Sequence, residues 1–218
     1  PAVTCPPDQN VFFNASCQYA LLDYTPLVVS SDNCGAVTIT QSPVAGTIIL
    51  TTQTVTITAD DGNGNLSTCS FDVIPTDNVA PTLICPPDEN VSFDANCQFT
   101  LLDYTGLAFT TDNCGPITVT QSPVMGTIIT GTTTVTLTAT DGAGNFSNCT
   151  FDVIPADNTA PAVSCPPDQN VFFDAACTYT LLDYTGLAIV NDNCGVASIV
   201  QSPVVGTVIT NTTTVTIT

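Results

Sequence analysis

Lysine, arginine and histidine are all absent from this 218-residue chain, while Asp and Glu total 19. Its formal charge is −19, with no cationic side chain to pair with a carboxylate. Gripping phosphate needs Lys or Arg, so the composition argues against nucleic-acid binding, and an anionic membrane surface would repel the chain. Without His or Lys, Ser-His-Asp triads and Schiff-base chemistry are excluded, as is a Lys–Asn isopeptide staple. Trypsin has no cleavage site. No apolar run suggests a membrane span, no leader or anchor motif is visible, and helical apolar periodicity is missing. The 11 cysteines contain no CxxC pair, which argues against zinc or iron–sulfur ligation.

What is present is repetition. Cys5, Cys85 and Cys165 recur every 80 residues, as do Cys17, Cys97 and Cys177, and Cys34, Cys114 and Cys194. Around them CPPD, LLDYT, DNCG, QSPV and GT return almost unchanged. A fixed period without insertions marks one unit copied head to tail, at residues 1–80, 81–160 and 161–218. The array is expected to continue past Thr218. If it stopped there, the third unit would lack its last strand, expose a sheet edge and leave Cys165 without a partner. An 80-residue unit buries a modest core and tends to need staples. Cysteine spacings of 12, 17 and 35 suit disulfides, and hence an oxidising, extracellular or cell-surface setting. Sequons at Asn14, Asn65, Asn90, Asn145, Asn148 and Asn211 fit that setting and make attached glycans a candidate feature.

Short runs rich in Val, Ile, Thr and Phe, bounded by Pro, Gly, Asn and Asp, predict strands throughout. Val135, Leu137 and Ala139 share one face of an alternating run whose other face is threonine. Cys149, Phe151 and Val153 share a face of the next run, and Asp141-Gly-Ala-Gly-Asn145 forms the turn between them. Upstream strands are expected over Cys97–Tyr104 and Ile117–Gln121, with a further run from Thr127. About seven short strands in 80 residues predict a small antiparallel sandwich. Tyr24, Tyr104 and Tyr184 are assigned to packing rather than to stacking on sugars.

Taken as a set, CPPD, DNCG, GTTTVTLTATDGAGN and CTFDV resemble the hyalin repeat (HYR), an immunoglobulin-like module. The resemblance covers the first two units and the visible part of the third. It implies an all-β chain of tandem immunoglobulin-like antiparallel β-sandwiches, extracellular, adhesive or matrix-building, with no enzymatic activity of the module itself. Many members keep only the outer two cysteines. That implies Cys5–Cys69 and Cys85–Cys149, leaving Cys17–Cys34, Cys97–Cys114 and Cys177–Cys194 as inner pairs. Sandwich topology favours the outer pairs; joining Cys17 to Cys34 requires an irregular path through Pro26 to Ser31.

Carboxylates also keep the period. In a sandwich of this topology the linker enters at the pole that carries the DNCG loop and the DGxGN turn. Asp77, Asp112 and Asp141 are therefore expected to converge where the first two units meet, with Asn78 and Asn145 nearby, and Asp157 and Asp192 at the next junction. Similar Asp-Asn…Ala-Pro linkers bind calcium in cadherins, an analogy across families. Such oxygen ligands suit Ca²⁺; the competing reading is that Asp and Asn simply cap turns. The turn is no EF-hand, since it lacks the distal Glu. These features predict an extracellular structural array, a stiff rod or surface filament whose partners are further copies of the repeat. The alternative is an adhesin stalk or a glycan- or protein-binding module acting by avidity.

Overall fold

The computed structural model describes residues 1–218. The chain is all-β, with no α-helix and only three short 3₁₀ turns, at Thr25–Leu27, Thr105–Leu107 and Thr185–Leu187. It separates into two compact units. One comprises residues 1–86, 103–122 and 136–150, the other residues 87–102, 123–135 and 151–218.

In the first unit, Gln9–Phe12, Leu66–Thr76, Gln53–Asp60 and Thr38–Ser42 form a four-stranded sheet in that order. Three of these strands pair antiparallel, and Gln9–Phe12 runs parallel to the end of Leu66–Thr76. Facing it are two ladders, Ala2–Thr4 with Val29–Ser31 and Tyr19–Ala20 with Ile48–Ile49. Alternation explains the core between the layers: Val55, Ile57 and Ala59 are fully buried, while Thr54, Thr56 and Thr58 point the other way. Leu21, Tyr24, Ile49, Phe71 and Val73 complete the core, with Tyr24 edge-on to Phe71 at 5.2 Å. The Cys5–Cys69 bridge packs against this cluster. The same unit holds Thr82–Ile84 paired with Phe109–Thr111, and Thr118–Ser122 paired with Thr136–Thr140.

The second unit keeps equivalent pairings. Glu89–Ser92 runs parallel to residues 153–156, and Phe99–Thr100 pairs with Ile128–Ile129. Ala162–Ser164 pairs with Ile189–Asn191, Tyr179–Thr180 with Val208–Ile209, and Gln201–Ser202 with Thr216–Ile217. The expected strand over Cys97–Tyr104 shrinks to Phe99–Thr100. Beyond it, the Leu101 amide donates to the Thr127 carbonyl (2.9 Å), and the Gly126 amide to the Leu101 carbonyl (2.8 Å). These bonds carry the pairing one residue further, with Gly126 and Thr127 both facing Leu101 as in a bulge.

A glutamine explains why LLDYT and QSP recur together. Gln41 Oε1 accepts the Tyr24 amide (2.7 Å), and its Nε2 donates to the carbonyls of Leu22 (3.0 Å) and Pro43 (3.1 Å). Gln201 repeats all three contacts in the third repeat and is itself buried. One side chain thus satisfies backbone groups that leave the sheet ladder. Gln41→Leu is expected to destabilise the first repeat by about 2 kcal/mol by orphaning them. The urea midpoint and exchange of the Tyr24 amide would report it; an unchanged midpoint would contradict the role.

Candidate metal centre

The expected inner cysteine pairing is corrected by the structure. The outer bonds, Cys5–Cys69 and Cys85–Cys149, form within their repeats, with Cα–Cα distances of 5.7 Å in both. Cys17 is bonded not to Cys34 but to Cys114, and Cys97 not to Cys114 but to Cys194. Cys177, expected to meet Cys194, is free and exposed, as are Cys34 and Cys165. Strand register supplies the reason. The Cys34 loop follows Ser31, which pairs with Ala2, where the chain enters the repeat. The Cys17 turn follows Phe12, which pairs with Thr76, where the chain leaves it. The two cysteines belong to opposite ends, and each inner bond therefore joins one copy to the next across a sequence separation of 97 residues.

That linkage has a local scaffold. Asn14 Oδ1 accepts the amides of Ser16 (2.9 Å) and Gln18 (3.1 Å), folding a tight turn that holds Cys17 at φ 54°. Across from it, Asn113 Nδ2 donates to the Asn14 carbonyl at 3.3 Å, beside the sulfur bridge. Asn193 donates likewise to the Asp94 carbonyl at 3.0 Å.

Beside Cys114, three predicted carboxylates come together. One ligand oxygen from each of Asp77, Asp112 and Asp141 lies within 4.8 Å of the others. Each arrives by its own local device. Asp141 opens the glycine turn, where its Oδ1 accepts the amides of Ala143 and Asn145, both at 2.8 Å. Its Oδ2 accepts Asn145 Nδ2 at 2.7 Å. The positive φ of Gly144 (93°) lets the chain close this turn. Asp112 Oδ2 accepts the Cys114 amide (2.9 Å), which shapes the DNCG loop. Asp77 Oδ1 accepts the Val79 amide (3.1 Å), turning the linker towards Pro81, whose carbonyl accepts the Ser147 hydroxyl (2.6 Å).

These bonds leave a set of oxygens without donors. Asp77 Oδ2, Asp112 Oδ1 and Asn113 Oδ1 are all buried and accept no hydrogen bond. Asp141 is 7% exposed. Its burial works against ionisation, but the Asn145, Ala143 and Gly144 donors outweigh it and hold the carboxyl below its ordinary 3.8. The cluster therefore gathers charge at a point where no cationic side chain exists to balance it.

Asn145 lies where it was expected, bridging Asp141 to the Asp77 carbonyl (3.2 Å). Because its Nδ2 already serves two acceptors, a glycan on that nitrogen would disrupt the cluster. Asn78 is exposed. Asn113 is the residue that sequence reasoning missed. Its Nδ2 reaches Asp77 Oδ1 at 3.2 Å, and its recurrence as Asn33 and Asn193 was the available signal. Around the third DNCG loop, Asp192 Oδ1 and Asn193 Oδ1 are again buried without donors, while Asp157 is exposed and accepts the Thr159 amide (3.0 Å).

No family model matches the chain, and no curated protein does. Among solved structures, human CDH23 EC21-23 aligns over 94% of this chain and 89% of its own, at 14% identity and a TM-score of 0.36. The protocadherin GammaB4 extracellular domain aligns over 73% of this chain at 19% identity and a TM-score of 0.35, and this chain spans 33% of it. Sidekick-1 immunoglobulin domains 1–4 align over 77% of this chain and 54% of their own, at 13% identity and a TM-score of 0.26. Similarities of this size assign neither a family nor a partner.

The lowered Asp141 pKa fixes the sign of an acid response. Its stabilising contribution is complete above the unfolded value of 3.8 and is lost as pH falls through the lower folded value. In chelator, the stability gap between wild type and Asp141→Asn is expected to shrink as pH drops from 6 towards 2. A gap independent of pH in urea titrations would contradict it.

Proposed function

We propose that this chain is part of an extracellular structural array of hyalin-type repeats, stiffened where successive repeats meet by Ca²⁺ held on Asp77, Asp112 and Asp141. The observation that carries this reading is the convergence of three carboxylates in which Asp77 Oδ2 and Asp112 Oδ1 are buried and accept no hydrogen bond. Calcium takes six to eight oxygens at about 2.3–2.6 Å, so oxygens on opposite sides of one ion stand up to about 5 Å apart. A cluster within 4.8 Å meets that requirement, and the buried Asn113 amide oxygen adds a neutral ligand. A hard divalent cation would also offset the charge of this pocket, which no cationic side chain of the chain can do.

Mechanically, the ion joins groups from three stretches: the linker after the first repeat, and the DNCG loop and glycine turn of the second. Binding would fix the linker angle, because moving any of the three groups breaks coordination. Four disulfides support an oxidising, extracellular or cell-surface location. The motif set supports the hyalin-type assignment. The near identity of loops between copies favours a rod or filament body over a recognition surface, and we assign the chain no catalytic role. No helix is long and apolar enough to cross a membrane.

Calorimetric titration of the chain with CaCl₂ tests the reading. Asp112→Ala is expected to weaken binding at this site about tenfold or more, by removing one of three charged ligands. An isotherm identical to wild type would refute the site.

A further inference from the structure

We propose that Cys34 and Cys177 are the two halves of a further inter-repeat disulfide of the Cys17–Cys114 kind, each closed by the complementary half on another repeat of this type. Two formed examples within the same chain, Cys17–Cys114 and Cys97–Cys194, define what each half looks like. The first half is a turn that opens with Asn or Asp and presents its fourth residue, a cysteine, in the left-handed region. The second is a DNCG loop in which the aspartate accepts the cysteine amide and the asparagine reaches the partner turn.

Cys34 and Cys177 both sit in halves already built to this pattern. In the first repeat the Cys34 amide donates to Asp32 Oδ2 at 2.9 Å, as Cys114 does to Asp112 at 2.9 Å and Cys194 to Asp192 at 3.1 Å. In the third, Cys177 has φ 58°, beside 54° for Cys17 and 57° for Cys97. Its amide donates to the Asp174 carbonyl at 3.0 Å, and Asp174 Oδ1 accepts the amides of Ala176 and Thr178 as Asn14 does in the first turn. A non-glycine residue held at positive φ is unfavourable unless something requires it. The unbonded Cys177 turn keeps the φ of the two bonded ones, so the turn itself sets the position of the sulfur before any bond forms. Both thiols are exposed, so a partner can reach them.

The bond forms by exchange with a small-molecule disulfide. One thiolate attacks the oxidant and expels a thiolate, giving a mixed disulfide. The second cysteine thiolate then attacks the protein sulfur and releases the other half. Two protein thiols are oxidised, one disulfide is reduced to two thiols, and the two protons lost by the protein thiols pass to the two expelled thiolates. The partner repeat comes from a further stretch of the same polypeptide or from a second copy of the chain. The linkage depends on the array but not on its cation, so calcium titration and cysteine mapping can fail independently.

Mapping of native material without reduction decides it. Pepsin is the suitable protease, since trypsin has no site and acid suppresses exchange through the thiolate. The expected product joins the peptide containing Asp32-Asn-Cys34-Gly to an Asx-x-x-Cys turn peptide. Mass after reduction then separates the two sources: 22.5 kDa chains mean second copies, and an undiminished larger mass means one continuous array. Recovery of Cys34 as a free thiol, or bonded to a CPPD cysteine, would overturn the proposal.

Discussion

A chain with 19 carboxylates and no cationic side chain cannot use ion pairs between side chains to hold its parts together. Covalent bonds, hydrogen bonds and apolar packing are left to position one repeat on the next, and an external cation can add to them. The stretch around Cys114 combines a disulfide, hydrogen bonds and the proposed cation ligands within a few residues. The sulfur bridge reaches Cys17, Asn113 donates to the Asn14 carbonyl and to Asp77, and the adjoining Asp112 presents a donor-free oxygen towards Asp77 and Asp141. Disulfide and carboxylate cluster are thus two aspects of one DNCG loop, which explains why those four residues return together.

The same composition shapes the interior of each repeat. Backbone groups that leave the ladders are met by neutral side chains, Gln41 and Gln201 above all, and turns are closed by aspartates that accept amides two and four residues on. Aspartates in LLDYT follow this rule, with Asp23 held below its ordinary pKa first by the Thr25 hydroxyl and then by its amide. Many carboxylates are engaged locally by turn amides and hydroxyls. Buried carboxylate oxygens without a donor remain at Asp77, Asp112, Asp192 and Glu89.

Much of this was legible from the sequence. The period located the strands, alternation placed Val135, Leu137 and Ala139 inside, and linker, loop and turn positions brought Asp77, Asp112 and Asp141 to one point. The partner of Cys17 was not legible, because spacing says nothing about which end of a sandwich a turn emerges from. Only the register of Phe12 with Thr76 and of Ser31 with Ala2 reveals it. Gln41 was hidden for a related reason: a polar residue in an alternating strand looks solvent-facing until the loop above it is placed. Asn113 was visible as a repeated position but indistinguishable from a turn former.

Together these features describe repeats joined by a disulfide and by hydrogen bonds, beside a carboxylate cluster proposed to hold a cation, with different sensitivities. Reduction would cut the sulfur bridges and leave the carboxylates; chelation would do the reverse. Electron microscopy of native material in calcium and then in chelator tests the central claim most directly. The account predicts straight, continuous particles that bend or loosen on chelation while remaining linked through their disulfides. Particles whose curvature is the same in both conditions would contradict a calcium-stiffened array.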